Sequence, residues 1–148
     1  MRAHWTTPLL AAAMFAGAAC SSDGGSGPSS SEITGTWQLT KVLFVSQANP
    51  QLSVDLIAQG GTATLTIDAN HTFAYILTMP ATAPDTTTGT WALSGDMVTM
   101  IRDGMSGDMQ FQVTVSATAI KLAGASVDFD VNDDGTDEPA TMTIEGTR

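Results

Sequence analysis

Apolar side chains recur at every second position through most of the chain from Ile33 to the C-terminus. Met109, Phe111 and Val113, for example, alternate with glutamine and threonine side chains. Successive side chains of a β-strand point to opposite faces, so this period gives each strand one apolar face and one wet face. Antiparallel sheets with one buried side have this pattern. The sequence therefore predicts an all-β domain.

Turn signals separate the alternating runs, as at 68–71, 94–96 and 132–135. Most connections between neighbouring runs are short, which favours a meander. A meander of about eight strands can close into an antiparallel up-and-down barrel, which removes exposed sheet edges. The predicted strands are 35–46, 62–68, 71–79, 86–94, 97–103, 108–116, 118–131 (broken near Gly124) and 138–147.

Residues 49–60 lack the two-residue period. Leu52, Leu56 and Ile57 lie at helical spacing, and the glycine pair that follows would end a helix. This segment is predicted to be a short helix or lid over the barrel. A partly apolar crossover loop is the alternative.

Residues 1–19 have the pattern of a secretory signal peptide: Arg2 supplies positive charge, and 9–19 is an uncharged, mostly apolar run too short to span a bilayer. Small residues directly before Cys20 resemble the lipobox of bacterial lipoproteins, which implies that this Cys becomes the mature first residue and carries acyl chains. Gly17 departs from that pattern, because the family usually has Leu there. An ordinary secretory signal, with Cys20 incidental, is the alternative.

The chain is divided into a signal peptide (1–19), a lipidated Cys with a flexible Ser/Gly linker (20–32) and a barrel domain (33–148). Such a tether lets a domain stand off the membrane to which its lipid is anchored. Ser21 resembles the sorting position of outer-membrane lipoproteins. The resemblance implies export to the cell envelope, as an outer-membrane lipoprotein facing the periplasm or the cell surface.

Charge and cysteine content exclude several functions. Five Lys and Arg against 15 Asp and Glu give a net charge of −10, which repels the phosphates of nucleic acid. The single cysteine excludes an intrachain disulfide and a cysteine metal site. His71, the one His of the predicted domain, lies in a tight turn, so a hydrolytic triad and a zinc site lack their usual groups. We predict that the protein is not an enzyme and requires no cofactor.

Two Gly-Thr-Trp motifs, at Gly35–Trp37 and Gly89–Trp91, resemble those of lipocalins and lipocalin-like bacterial lipoproteins. The resemblance implies a lipocalin-like barrel in which the tryptophan closes the base and the glycine permits close packing. Gly35, Trp37, Gly89 and Trp91 are accordingly assigned to a barrel-closing motif. In lipocalins a late arginine packs on the first tryptophan. Arg148 is the one late arginine here, and it is not assigned that role.

The most specific polar motif is acidic and lies within 128–138. Its spacing matches positions 1, 3, 5 and 9 of a calcium loop, where hard oxygen ligands converge from a tight turn. Thr141 stands at position 12, so the bidentate glutamate of an EF-hand is missing. The two interpretations are a solvated acidic hairpin turn and a weak calcium site that holds the last hairpin together. The candidate ligands are Asp130, Asn132, Asp134 and Glu138.

Two functions remain open, and neither sets an oligomeric state. The first is a membrane-anchored module that binds a small apolar ligand in the barrel. Lys41 lies in the apolar phase of the first strand and could contact an acidic ligand there, unless a bulge turns it outward. The second is a structural or protein-interaction module with a filled core. A cavity above about 300 Å³ favours the first. The adaptable lining of the cavity is predicted to include Met79, Met97, Met100, Met109 and Met142.

Overall fold

The strands lie close to the positions that the two-residue period predicts. The computed structural model describes residues 27–148, so the predicted signal peptide and Cys20 lie outside the described residues. The elements are α1 (Ser30–Ile33), β1 (Gly35–Ser46), β2 (Ser53–Asp55), β3 (Thr62–Ile67), β4 (Thr72–Thr78), β5 (Asp85–Ser94), β6 (Met97–Arg102), β7 (Asp108–Val115), β8 (Ala119–Phe129) and β9 (Glu138–Thr147).

All strand pairs are antiparallel, in the order β2-β1-β3-β4-β5-β6-β7-β8-β9. Strand β9 also pairs with β1, which closes eight strands into a barrel and leaves β2 as an extra strand. β1 is long enough to serve three partners, since its first residues pair with β3 and its later residues pair with β9 and β2. The predicted up-and-down barrel is confirmed.

The core consists of the inward-facing residues of the alternating strands. Phe111 and Val113 are buried, whereas Gln110 and Gln112 beside them are exposed. The outward positions are rich in threonine, which suits the half-buried surface of a pleated strand. The largest fully buried side chains are Trp37, Phe111, Ile33, Leu65, Ile67, Leu122, Val42 and Val98.

Two β-bulges change the phase of long strands. The register shifts between Leu39 and Lys41 in β1, so Val42 rather than Lys41 follows Leu39 into the core. A second shift lies between Ala123 and Ala125 in β8, around Gly124 with its positive φ of 92°. The predicted break near Gly124 is therefore a bulge, which inserts one extra residue without ending the strand.

The helix predicted at 49–60 is not present, because backbone and side-chain acceptors hold the segment as β2 and a run of turns. The Asp55 carboxylate accepts the N–H of Ile57 at 3.1 Å, which fixes a turn where a helix would continue. The Leu56 N–H is donated to the Val42 carbonyl at 2.9 Å. Leu56 is nevertheless buried, so the segment covers part of one barrel end as a lid would.

The short helix of the fold is α1, which contains the last residues of the predicted flexible linker, 20–32. The Ser29 N–H and hydroxyl are both donated to the Glu32 carboxylate, at 2.7 and 2.8 Å. These two hydrogen bonds lower the pKa of Glu32. The bond from the Ser29 N–H is the Glu32 half of a capping box, which starts a helix at this position. Within residues 27–148 no helix has the length and apolar character needed to cross a bilayer.

Candidate functional site

The two ends of the barrel differ in how they are closed. The sealed end contains α1, the start of β1, the β3–β4, β5–β6 and β7–β8 turns and the C-terminus. The open end carries the long connections after β1, β4, β6 and β8. Each end therefore has its own set of candidate residues, and the sealed end holds both Gly-Thr-Trp motifs.

Trp37 is fully buried at the sealed end, and its indole N–H is donated to the Ile33 carbonyl at 2.9 Å. The Arg148 guanidinium lies 4.1 Å from the centre of the Trp37 ring, within the range of a cation–π contact. The same guanidinium donates to the Thr34 carbonyl at 2.7 Å and to the Glu32 carbonyl at 3.2 Å. Arg148 thus occupies the position of the late lipocalin arginine, a role that the sequence analysis did not assign to it.

Trp91 lies beside the β3–β4 turn and is 3% exposed. Its indole N–H is donated to the Asp68 carbonyl at 2.9 Å, and the His71 ring packs against it with a centroid separation of 4.8 Å. His71 itself is exposed in the turn, at a positive φ of 68°. A Cβ on Gly89 would overlap the Ile101 carbonyl, so this position requires glycine.

A cavity of about 200 Å³ opens at the other end of the barrel. The stacked rings of Phe44 and Phe129, with centroids 3.9 Å apart, contribute to its lining, and Leu56 adds to it from the segment after β2. The cavity is smaller than the roughly 300 Å³ at which drug-sized sites begin. Its other apolar lining residues are Leu65, Phe73, Leu77, Met100, Met109, Phe111, Val127, Met142 and Ile144.

Three of the five methionines predicted to line the interior do so, namely Met100, Met109 and Met142. Met97 is 37% exposed because it lies on the outer face of β6. Met79 follows β4 and packs against the core without reaching the cavity lining. The prediction fails for Met97 because both faces of β6 contain apolar residues, and for Met79 because it lies beyond the end of β4.

The polar lining residues are Tyr75, Asp85, Thr87, Arg102 and Asp128, which come from four strands. Burial, and then the negative charge of Asp85, raises the pKa of Tyr75 to about 12, so its hydroxyl stays neutral at physiological pH. Asp85 and Asp128 are exposed, whereas the Arg102 side chain is half-buried. The cavity therefore has an apolar body with charged groups among its lining.

The Arg102 Nε is buried and has no hydrogen-bond partner among the described residues. The ion pairs found within residues 27–148 join Lys41 and Lys121 to Glu145, at 3.6 and 3.2 Å, and none includes Arg102. A buried donor without a partner costs free energy. Arg102 is thus the basic group inside the barrel, whereas the bulge in β1 turns Lys41 to the outer wall, which is the alternative that the sequence analysis left open.

Sequence reasoning missed Arg102 because both phases of β6 contain apolar residues. Val98 and Met100 are buried on one face, and Met97 and Ile101 are exposed on the other. The available signal was the register with β5: a strand that pairs Met100 with the inward-facing Trp91 must also turn Arg102 inward. That register depends on the position of the β5–β6 turn.

The predicted calcium loop connects β8 and β9 and uses its side-chain oxygens for its own backbone. The Asp130 carboxylate accepts the N–H of Asp134 at 3.1 Å and that of Gly135 at 2.8 Å. The Asn132 side chain also accepts the Asp134 N–H, at 3.0 Å. Glu138 begins β9 and is half-buried. Over residues 27–148 no group of three His, Cys, Asp or Glu side chains is arranged to hold a metal ion.

The sequence profile of a family described as lipocalin-like domain matches residues 33–147, which include all nine strands and both Gly-Thr-Trp motifs. No curated protein and no solved structure matched the chain.

Proposed function

Because this chain belongs to the lipocalin-like domain family, we propose that it binds a small, mainly apolar ligand in the open end of its barrel. The observation that carries the proposal is the apolar cavity of about 200 Å³ above a sealed base. Eight-stranded barrels either fill with side chains or hold one small ligand, and this barrel keeps room for one. The proposed activity is binding without a chemical step.

The size of the cavity limits the ligand. An engineered apolar cavity of about 150 Å³ accepts benzene, so about 200 Å³ suits a single ring or a short aliphatic chain. Met100, Met109 and Met142 line it and can adjust their shape to different ligands. We therefore propose a ligand much smaller than a long-chain lipid.

A filled-core structural or protein-interaction module is the second candidate. The observation in its favour is that the cavity lies below the roughly 300 Å³ that marks most ligand sites. Under this hypothesis the space at the open end would be a packing defect, and small apolar molecules would not bind measurably.

The binding proposal is tested with 1-hexanol and a pair of variants of neighbouring residues in β4. Leu77 faces the cavity, whereas Ile76 is 40% exposed on the outer wall. Leu77→Trp should fill the cavity and abolish the heat of hexanol binding in isothermal titration calorimetry. Ile76→Trp adds the same side chain outside and should leave binding unchanged. Absence of hexanol binding to the wild type, or equal binding by both variants, would support the filled-core module.

We also propose that the domain is a lipoprotein of the cell envelope, anchored by a lipid on Cys20. The support is the signal-like pattern of residues 1–19 and the small residues before Cys20. The first described residues precede α1, which lies at the sealed end. A lipid anchor at the N-terminus would thus join the barrel at its base and leave the cavity open to the surrounding solution.

A further inference from the structure

The basic residues of the described chain differ in what they contact. Lys41 and Lys121 pair with Glu145 on the outer wall, and Arg148 lies over Trp37 at the sealed end. Arg102 lies in the lining of the cavity, with a buried Nε that has no partner among the described residues. Every other cation in residues 27–148 therefore has a protein partner, and Arg102 has a cavity in front of it.

We infer that the ligand is a small monocarboxylic acid whose carboxylate pairs with the Arg102 guanidinium while its short apolar body occupies the cavity. This inference rests on the proposed function and adds the chemical class of the ligand. A guanidinium presents its N–H groups in a planar fork that matches the two oxygens of a carboxylate. The Nε–H is one arm of that fork and is shielded from solvent, so a small shift of the Arg102 side chain towards the ligand is needed for it to gain the acceptor it lacks.

The position of Arg102 fits this arrangement. It is the last residue of β6, towards the open end, and Met100 lies two residues deeper on the same inward face. Tyr75 and Thr87 add neutral hydroxyl groups to the lining, on the neighbouring strands β4 and β5. A ligand with its acid group at Arg102 would thus place its apolar end against Met100 and Phe111.

The lining carboxylates argue for one negative charge rather than two. Asp85 and Asp128 are exposed, so water solvates their charges, and neither lies within 4 Å of the guanidinium as an ion pair. They would repel a second charge on the ligand. A cationic ligand is disfavoured because it would bring its charge next to a guanidinium that no protein carboxylate neutralises by contact.

The test compares three ligands with the same six-carbon chain: hexanoate, uncharged 1-hexanol and hexyl phosphate. Isothermal titration calorimetry at neutral pH measures the affinity of each for the wild-type protein. A charge-assisted hydrogen bond predicts that hexanoate binds about tenfold to a hundredfold more tightly than 1-hexanol. Hexyl phosphate should bind more weakly than hexanoate.

Arg102→Met keeps an apolar stem and removes the charge, so hexanoate should lose its advantage while 1-hexanol affinity changes little. Lys121→Met removes the same charge from the outer wall and should keep the wild-type preference. The comparison of ligands on the wild type needs no variant, so it stands even if Arg102→Met fails to fold.

The outcomes separate this inference from the function on which it rests. If hexanoate and 1-hexanol bind the wild type equally, or if Arg102→Met folds and keeps the preference, the acid-ligand inference is wrong and the binding function stands. If hexyl phosphate binds most tightly, the site selects dianions and the inference is also wrong. If none of the three binds, both the inference and the proposed function are overturned.

Discussion

Arg148 joins the C-terminus to the start of the domain through one side chain. Its guanidinium covers Trp37 at 4.1 Å and donates to the carbonyls of Thr34, Glu32 and Ala117. We predict that Arg148→Ala lowers the free energy of unfolding by about 1–3 kcal/mol, because a cation–π contact and hydrogen bonds from a charged donor are lost. Urea denaturation measures the change. Lys121→Ala, on the outer wall, is the matched control and should cost less than 1 kcal/mol.

Tyr75 is the one tyrosine of the chain, so the absorbance of tyrosinate reports on it alone. Its pKa is raised to about 12 in the folded protein by burial and by Asp85, against about 10 in an unfolded chain. Below pH 10 the phenol is neutral in both states. Between these values only the unfolded chain loses the proton, so stability should fall by up to about 2 kcal/mol as pH rises.

Alkaline titration of the folded protein should therefore give a tyrosinate midpoint near 12. Tyr75→Phe removes the titrating group and should lose less stability between pH 10 and 12 than the wild type, since the remaining loss comes from other groups. A midpoint at the ordinary value of about 10 would show that the phenol is not buried in the cavity lining.

Experiments on the β8–β9 connection distinguish the two interpretations of this loop, a solvated acidic turn and a calcium site. Because Asp130 accepts two backbone N–H groups, we predict that Asp130→Ala lowers the free energy of unfolding by about 1–2 kcal/mol. Asp137→Ala, at an exposed position of the same loop, should change it little. We expect the melting temperature to be the same in calcium and in EDTA. A rise in calcium that Asp134→Asn abolishes would instead establish the calcium site.

Most elements followed from the sequence because alternation records which face meets the core. The predicted strands 35–46 and 138–147 match β1 and β9, and the other predicted strands differ from the observed ones by one or two residues at their ends. The predictions that failed have a common cause, because pairing between distant strands determined the structure at those positions. Residues 53–55, within the segment predicted to be a helix, pair with β1, and the register with β5 sets the inward face of β6. The spacing of apolar residues within one segment contains no information about either pairing.

The parts of the candidate site that rest on local motifs could likewise be predicted, but not those that depend on long-range pairing. The Gly-Thr-Trp motifs indicated the sealed end, because a resemblance in sequence identified them. Arg148 belongs to the same end, but it reaches Trp37 only after the barrel closes through the pairing of β1 with β9. The inward position of Arg102 could be predicted only with the β5–β6 register, and only the closed barrel brings Arg102, Asp85 and Asp128 into one lining.

At the scale of the whole molecule, the proposed anchor and the proposed binding site lie at opposite ends of the barrel. The N-terminal segment and the C-terminal Arg148 meet at the sealed end, and the cavity opens at the opposite end. A lipid on Cys20 would be separated from α1 by only the short Ser/Gly-rich segment. Anchoring and binding should therefore be independent, because the cavity opens at the end of the barrel opposite α1.

This independence gives the last prediction. Protein extracted from membranes should yield an N-terminal peptide that begins at Cys20 and carries the mass of acyl chains. Cys20→Ala should lack that mass and should no longer fractionate with membranes as a lipoprotein, while its purified domain binds hexanoate with unchanged affinity. Ser22→Ala, two residues beyond the Cys, is the control and should keep both the lipid and the membrane fraction. An unmodified wild-type peptide, or Cys20→Ala protein still anchored after removal of its signal peptide, would contradict the lipoprotein proposal and leave the binding proposal untouched.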